Sequence, residues 1–134
     1  MKMLLDTHIL LWALFEDDKL GRNSRTLISD MDNVVYYSAA SIWEIAIKHR
    51  KYPERIPFGA DDIIRYCDDA GYFCLNITSV HVAETANLRL REGTTVNNDP
   101  FDRMLIAQAK TEGMPLITRD KVMQYYDEPC IMMD

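Results

Sequence analysis

The stretch Lys2-Met3-Leu4-Leu5-Asp6-Thr7-His8-Ile9-Leu10-Leu11-Trp12-Ala13-Leu14-Phe15 sets a short apolar run, one acid and a longer apolar run in a row. Residues 2–5 read as a strand. Asp6-Thr7 suits the opening of a helix, because both side chains accept from exposed backbone N–H groups. Residues 8–15 then read as a largely buried helix. The same order returns downstream. Asn33 introduces Val34-Val35-Tyr36-Tyr37, a second strand rich in β-branched and aromatic residues, and Ser38 or Ser41 starts a helix that runs to about Arg50. Between these units, residues 24–30 form a short helix opened by Asn23 or Ser24. Pro53, Pro57 and Gly59 make residues 51–59 a connection. A helix over about 60–70 stops at Gly71, before a third strand at residues 72–75. Residues 79–91 read as helical, with Val80, Ala83, Ala86 and Leu90 on one stripe. Residues 93–98 are a polar loop, and Asp99-Pro100 opens a helix that ends before Gly113. Leu116-Ile117-Thr118 is a fourth strand, residues 121–125 a short helix, and Cys130-Ile131-Met132-Met133 a final edge strand. Short apolar strands alternating with helices imply an α/β fold: three α/β/α layers around a parallel sheet of about five short strands.

Bulk properties narrow the class. A chain of 134 residues is expected to form one domain, 1–134, with a real core. Hydrophobic residues at 48% and charged residues at 27% are ordinary for a globular protein. Cys67, Cys74 and Cys130 are odd in number and show no CxxC spacing, which argues against a disulfide framework or a zinc site and for a reduced, cytoplasmic setting. No apolar stretch approaches a membrane span, and Asp6 comes too early for a secretory signal. The net charge of −6 counts against a nucleic-acid partner unless bound cations reverse it locally.

Four acids sit in apolar company: Asp6, Glu44, Asp102 and Asp120. Such carboxylates are costly unless paired or metal-bound. Each also has a plain structural reading. Asp6 can cap the first helix. Glu44 can pair with Lys48 one turn on, although its helix is apolar nearly all round. Asp99 at the cap, Pro100 and Asp102 make a good helix start. Asp120 can cap the short helix after it. In a parallel α/β sheet, ligands bind beyond the carboxyl ends of the strands, where strand order reverses. Asp6 and Asp120 each follow a strand there and meet if the first and fourth strands are neighbours. Two unit charges 4 Å apart repel by roughly 4 kcal/mol at an effective dielectric of about 20. Clustered acids therefore either protonate or bind cations. With oxygen donors and no His or Cys among them, the fitting ion is Mg²⁺ or Mn²⁺, which can activate water against a phosphate ester. The histidines have bland readings: His8 packs at the first helix, and His49 and His81 lie on polar helix faces. Tyr36-Tyr37 reads as strand packing. The basic run Lys48-His49-Arg50-Lys51 with Arg55 is a solvated helix end or, more sharply, a phosphate contact beside Glu44.

Four segments carry a resemblance to a known family: Leu4-Leu5-Asp6-Thr7-His8; Ser38-Ala39-Ala40-Ser41-Ile42-Trp43-Glu44-Ile45-Ala46-Ile47-Lys48; Asp99-Pro100-Phe101-Asp102-Arg103-Met104-Leu105-Ile106-Ala107-Gln108-Ala109; and Leu116-Ile117-Thr118-Arg119-Asp120. In that order they resemble the PIN domains, most closely the VapC-type toxins of bacterial toxin–antitoxin pairs. The resemblance implies a Mg²⁺- or Mn²⁺-dependent endoribonuclease, leaving a 5′-phosphate and a 3′-hydroxyl, and a homodimer covered by a small antitoxin. It places the metal-holding, catalytic acids at Asp6, Glu44, Asp102 and Asp120. Thr7, Asp99 and Thr118 order them from behind, with Ser41 a further support. Relatives often carry His-Arg before Asp-Pro-Phe-Asp; here Asn97-Asn98 stand there. Residues 51–60 and 92–98 are expected to face the substrate. Two alternatives stay open: a nuclease for structured DNA, and a domain that binds RNA or a partner without cutting. A phosphatase of the haloacid-dehalogenase type is disfavoured, since it wants an acid where His8 stands.

Overall fold

The computed structural model describes residues 1–94 and 98–134. Five parallel strands form one sheet: β1 (Lys2–Leu5), β2 (Val34–Ser38), β3 (Phe73–Leu75), β4 (Leu116–Thr118) and β5 (Ile131–Met133), in the order β3-β2-β1-β4-β5. Six α-helices surround it: α1 (Thr7–Phe15), α2 (Arg22–Ser29), α3 (Ala39–Lys51), α4 (Ala60–Ala70), α5 (Ser79–Glu84) and α6 (Pro100–Glu112), with 3₁₀ turns at Asp17–Lys19, Thr85–Asn87 and Lys121–Tyr125.

Alternation along each strand builds two cores. Met3 and Leu5, Val35 and Tyr37, and Ile117 point to one face, where Ile9 and Leu10 of α1, Ile45 of α3 and Ile63 and Cys67 of α4 meet them. Leu4 and Leu116 point to the other, against Leu105, Ile106 and Ala109 of α6. Both faces of the sheet are thus covered, which is why its strands read as near-continuous apolar runs. Burial pushes the Cys67 thiol up to about 12, so it behaves as an inert apolar group.

Strand order reverses between β1 and β4. The chain steps outward on one side through β2 and β3, then crosses over by α5 and α6 to β4 on the other side. That reversal opens a crevice at the carboxyl edge. The register fixes what lines it. Leu5 pairs with both Tyr37 and Ile117, so the following residues, Asp6, Ser38 and Thr118, emerge in one row.

The structure corrects four local expectations. α2 starts at Arg22 behind Gly21, not at Asn23 or Ser24. The helix expected over 79–91 ends at Glu84, and its stripe is split: Val80, Ala83 and Ala86 are exposed, while Leu90, beyond the helix, packs against the second core. The inward position belongs to His81, expected on a polar face but buried, where its Nδ1 accepts from the Thr78 N–H. His8, expected to pack, is exposed, with its ring 6.3 Å from that of Trp12.

Candidate active site at the carboxyl edge of the sheet

Asp6 leaves β1 and caps α1: its Oδ1 accepts from the Thr7 N–H at 2.7 Å. Its Oδ2 accepts from the Thr118 hydroxyl on the neighbouring strand at 2.6 Å. The Asp120 N–H in turn donates to Thr118 Oγ1 at 3.1 Å. β1 and β4 are neighbours, as a meeting of Asp6 and Asp120 requires, and Thr118 links the Asp6 carboxylate to the Asp120 backbone. The Asp120 carboxylate itself is exposed and accepts from the Val122 N–H as a cap.

Thr7 connects Asp6 to α3. Its hydroxyl oxygen lies 2.8 Å from Glu44 Oε1 and 2.8 Å from Ser41 Oγ. One hydroxyl has one hydrogen, and the bond to an ionised acceptor is the stronger. Thr7 thus donates to Glu44 and accepts from Ser41. Glu44 Oε2 takes a second donor, Lys48 Nζ, at 2.7 Å. The Glu44 side chain is only 14% exposed, so this pair is not a free surface ion pair. Ser38, buried at the cap of α3, accepts from the Ala40 N–H and donates to Gln108 Oε1 of α6. Gln108 was not foreseen as a support, although its signal was visible as a lone amide in Leu105-Ile106-Ala107-Gln108-Ala109.

Asp99 and Asp102 stand at the start of α6. Asp99 Oδ1 accepts from the N–H groups of Phe101 and Asp102, so Asp99 is the cap. Between the two acids, Phe101 makes an edge contact with Trp43 of α3, the ring centroids 5.2 Å apart. The expected substrate loop 92–98 lies partly outside the described residues, Asn97 among them.

Burial holds the Asp6 carboxyl above the ordinary aspartate range, against the opposing pull of Thr118, Thr7 and His8, while the Glu44 charge adds to the rise. A nearby cation would relieve both the desolvation and the repulsion. The donors are all hard oxygens, which suits Mg²⁺ or Mn²⁺. In that respect the residues fit a divalent ion. Among the described residues, no three acid, imidazole or thiol side chains stand close enough to form a ready-made metal cage. Nor is any helix long and apolar enough to cross a membrane.

No curated protein matches the chain. Among solved structures, a chain in the crystal structure of VapBC2 from Rickettsia felis bound to a DNA fragment from their promoter matches with a TM-score of 0.66 at 16% identity, over 100% of this chain and 98% of that one. At that identity the likeness establishes a common fold. The family model for the PIN domain matches residues 3–129. A match over nearly the whole length, on a five-stranded parallel sheet covered by helices, means that the chain belongs to the PIN domain family.

Proposed function

We propose that the protein is a divalent-metal-dependent endoribonuclease of the VapC type, the toxin of a toxin–antitoxin pair. The observation that carries this reading is the Asp6–Thr7–Glu44 constellation at the strand-order reversal, with Asp6 held in an electrostatic state that a cation would relieve. Asp6, Glu44, Asp102 and Asp120 are the residues that would hold Mg²⁺ or Mn²⁺. Bound there, such an ion supplies Lewis-acid polarisation of the phosphate and a water of lowered pKa. Thr7 keeps the Glu44 carboxylate turned toward Asp6, and Thr118 does the same for Asp6 from the other side. Lys48 balances charge beside Glu44. Water adds to phosphorus, the bond to the 3′ oxygen breaks, and the proton goes to that leaving oxygen, giving a 5′-phosphate and a 3′-hydroxyl.

The crystal structure that shares the fold holds VapBC2, a complex, which supports a cognate antitoxin here. An open apolar cleft of about 480 Å³ between α1 and the 55–58 connection is walled by Leu11, Trp12, Phe15 and Phe58; because apolar walls suit a protein segment better than a phosphate backbone, we assign it to that partner rather than to the substrate expected at residues 51–60. A homodimer follows from the family resemblance.

The test is purified protein against total RNA with Mg²⁺, with EDTA, and as Asp6→Asn. The expected result is cleavage with Mg²⁺ alone, with fragments that carry 5′-phosphates. Cleavage that survives both EDTA and Asp6→Asn removes the metal mechanism. Cutting of branched DNA but not RNA moves the activity to the DNA class. Binding without cutting in Mg²⁺ and in Mn²⁺ makes this a non-catalytic domain.

A further inference from the structure

We propose that the exposed indole of Trp43 is a nucleobase-stacking subsite that seats an unpaired base beside the candidate centre, an inference that rests on the ribonuclease reading above. Trp43 is 62% exposed. Indoles are usually well buried, because they carry a large apolar surface. This one sits on α3 next to Glu44 and is not left to swing freely. Phe101, in the first turn of α6 between Asp99 and Asp102, meets it at 5.2 Å with an interplanar angle of 75°. An edge contact of that kind covers at most one face of the indole, so the ring is positioned and a face stays open. The contact also ties together the two helices that carry Glu44 and Asp102.

Charge on the same helix points to the occupant. Arg50 lies seven residues beyond Trp43, two turns along the same side of α3, about 10 Å further on at about 1.5 Å per residue. Arg50 and its neighbour Lys51 are exposed and form no ion pair among the described residues, in a chain with a net charge of −6. An aromatic face followed by unpaired cations is the pattern that holds a single strand: bases stack on the ring and phosphates meet the cations. A base within a duplex has both faces covered by its neighbours, so only an unpaired nucleotide can use the indole. Trp43 thus adds a local selection for looped or single-stranded segments.

The experiment uses the full chain carrying Asp6→Asn, to prevent cutting, and Trp12→Phe, so that Trp43 is the one tryptophan left. The probes are an unstructured adenosine ribo-oligomer, an abasic oligomer of the same length, and a hairpin stem. The adenosine oligomer is expected to quench Trp43 fluorescence; the abasic oligomer and the stem are not. Trp43→Leu weakens binding of the adenosine oligomer by about tenfold or more and leaves the abasic oligomer within about twofold, while Trp43→Phe keeps most of the affinity. Equal weakening for both oligomers, or none for either, overturns the subsite while leaving the nuclease reading intact. Loss of dimer in sedimentation on Trp43→Leu, with RNA affinity unchanged, assigns the ring to a protein interface instead. If the Trp43 protein binds no RNA in an anisotropy titration, the subsite and the ribonuclease reading fall together.

Discussion

Thr7 shows how much one side chain can decide. Its backbone N–H holds Asp6 and its hydroxyl holds Glu44, so a single residue fixes both carboxylates. Thr7→Val keeps the shape but removes the hydroxyl. On the metal-nuclease reading, this variant loses about 10- to 100-fold in Mg²⁺ affinity, as when a hydrogen-bond support behind a metal ligand is removed, whereas Thr7→Ser stays close to the parent. Isothermal titration with Mg²⁺ reads both. Asp6 gives a second outcome. An ion at about 100 times its Kd adds roughly 2.7 kcal/mol to stability, so the Tm of the parent rises with Mg²⁺. The Tm of Asp6→Asn is expected not to rise; an equal rise would place the ion elsewhere. The sequence exposed Asp6 and Glu44 because a lone charge in an apolar run is conspicuous. The family resemblance placed Thr7 behind the acids, but which carboxylates it holds, and through which atoms, is set by the approach of α3 to the start of α1.

α6 illustrates the same limit for whole elements. Its start was legible down to Asp99 as cap and Pro100 behind it, since capping chemistry is local. Its role in the fold was not. Gln108 accepts from Ser38 at the cap of α3, and its amide faces the carbonyls of Leu75 and Asn76 and the buried His81 ring at 3.4–3.5 Å. One amide therefore touches the ends of β2 and β3 and also α5. Gln108→Leu strands several buried polar atoms, and we expect it to cost about 1–3 kcal/mol in urea unfolding. Lys110, one helix position pair further on, reaches both Glu84 at 2.9 Å and the fully buried Glu128 side chain at 3.1 Å. Lys110→Met leaves Glu128, among the described residues, with Arg89 at 3.7 Å as its remaining cation, and is expected to cost about 2 kcal/mol, less than a fully buried pair because Lys110 is partly solvated. The double variant Lys110→Met with Glu128→Gln recovers part of that loss. α5 failed as a sequence reading for a related reason: its small apolar residues matched a helical stripe, but the polar partners of His81 set which side turned inward.

For the molecule as a whole, one long-range clasp makes a pH prediction. Asp134 follows β5, and its carboxylate accepts from the Gly21 N–H at the start of α2 at 2.9 and 3.0 Å and pairs with Arg119 at 2.7 Å. Burial pushes its pKa upward, but the Ser24 hydroxyl, the Gly21 N–H and Arg119 outweigh it and hold Asp134 below the ordinary aspartate range. Between the folded and unfolded pKa values the unfolded chain binds more protons, so stability falls as pH falls through that range. Asp134→Asn is expected to cost about 1–2 kcal/mol at pH 7. Its Tm should converge on that of the parent as pH drops below the usual aspartate pKa. A Tm gap unchanged down to strongly acidic pH would show that the clasp does not depend on the charge. Gly21 is part of the same clasp: a Cβ there would stand 2.5 Å from Asp134 Oδ1, so Gly21→Ala should cost a similar amount at neutral pH.

Hydrophobic pattern and turn chemistry are properties of neighbouring residues, and they were enough to give five strands, their alternation with helices and the parallel sheet between two helical layers. They were also enough to point to the four acids, because the cost of a carboxylate among apolar residues can be read from its neighbours. Which strands lie side by side is a matter of contacts between residues far apart in the chain, Leu4 with Leu116 at the extreme. Only the tertiary structure put β4 against β1, brought Thr118 onto Asp6 across that gap, and turned His81 inward and Trp43 outward. The physical reason is that a helix pattern says which residues share a side, while the partners offered by other elements, polar ones above all, decide which side is buried.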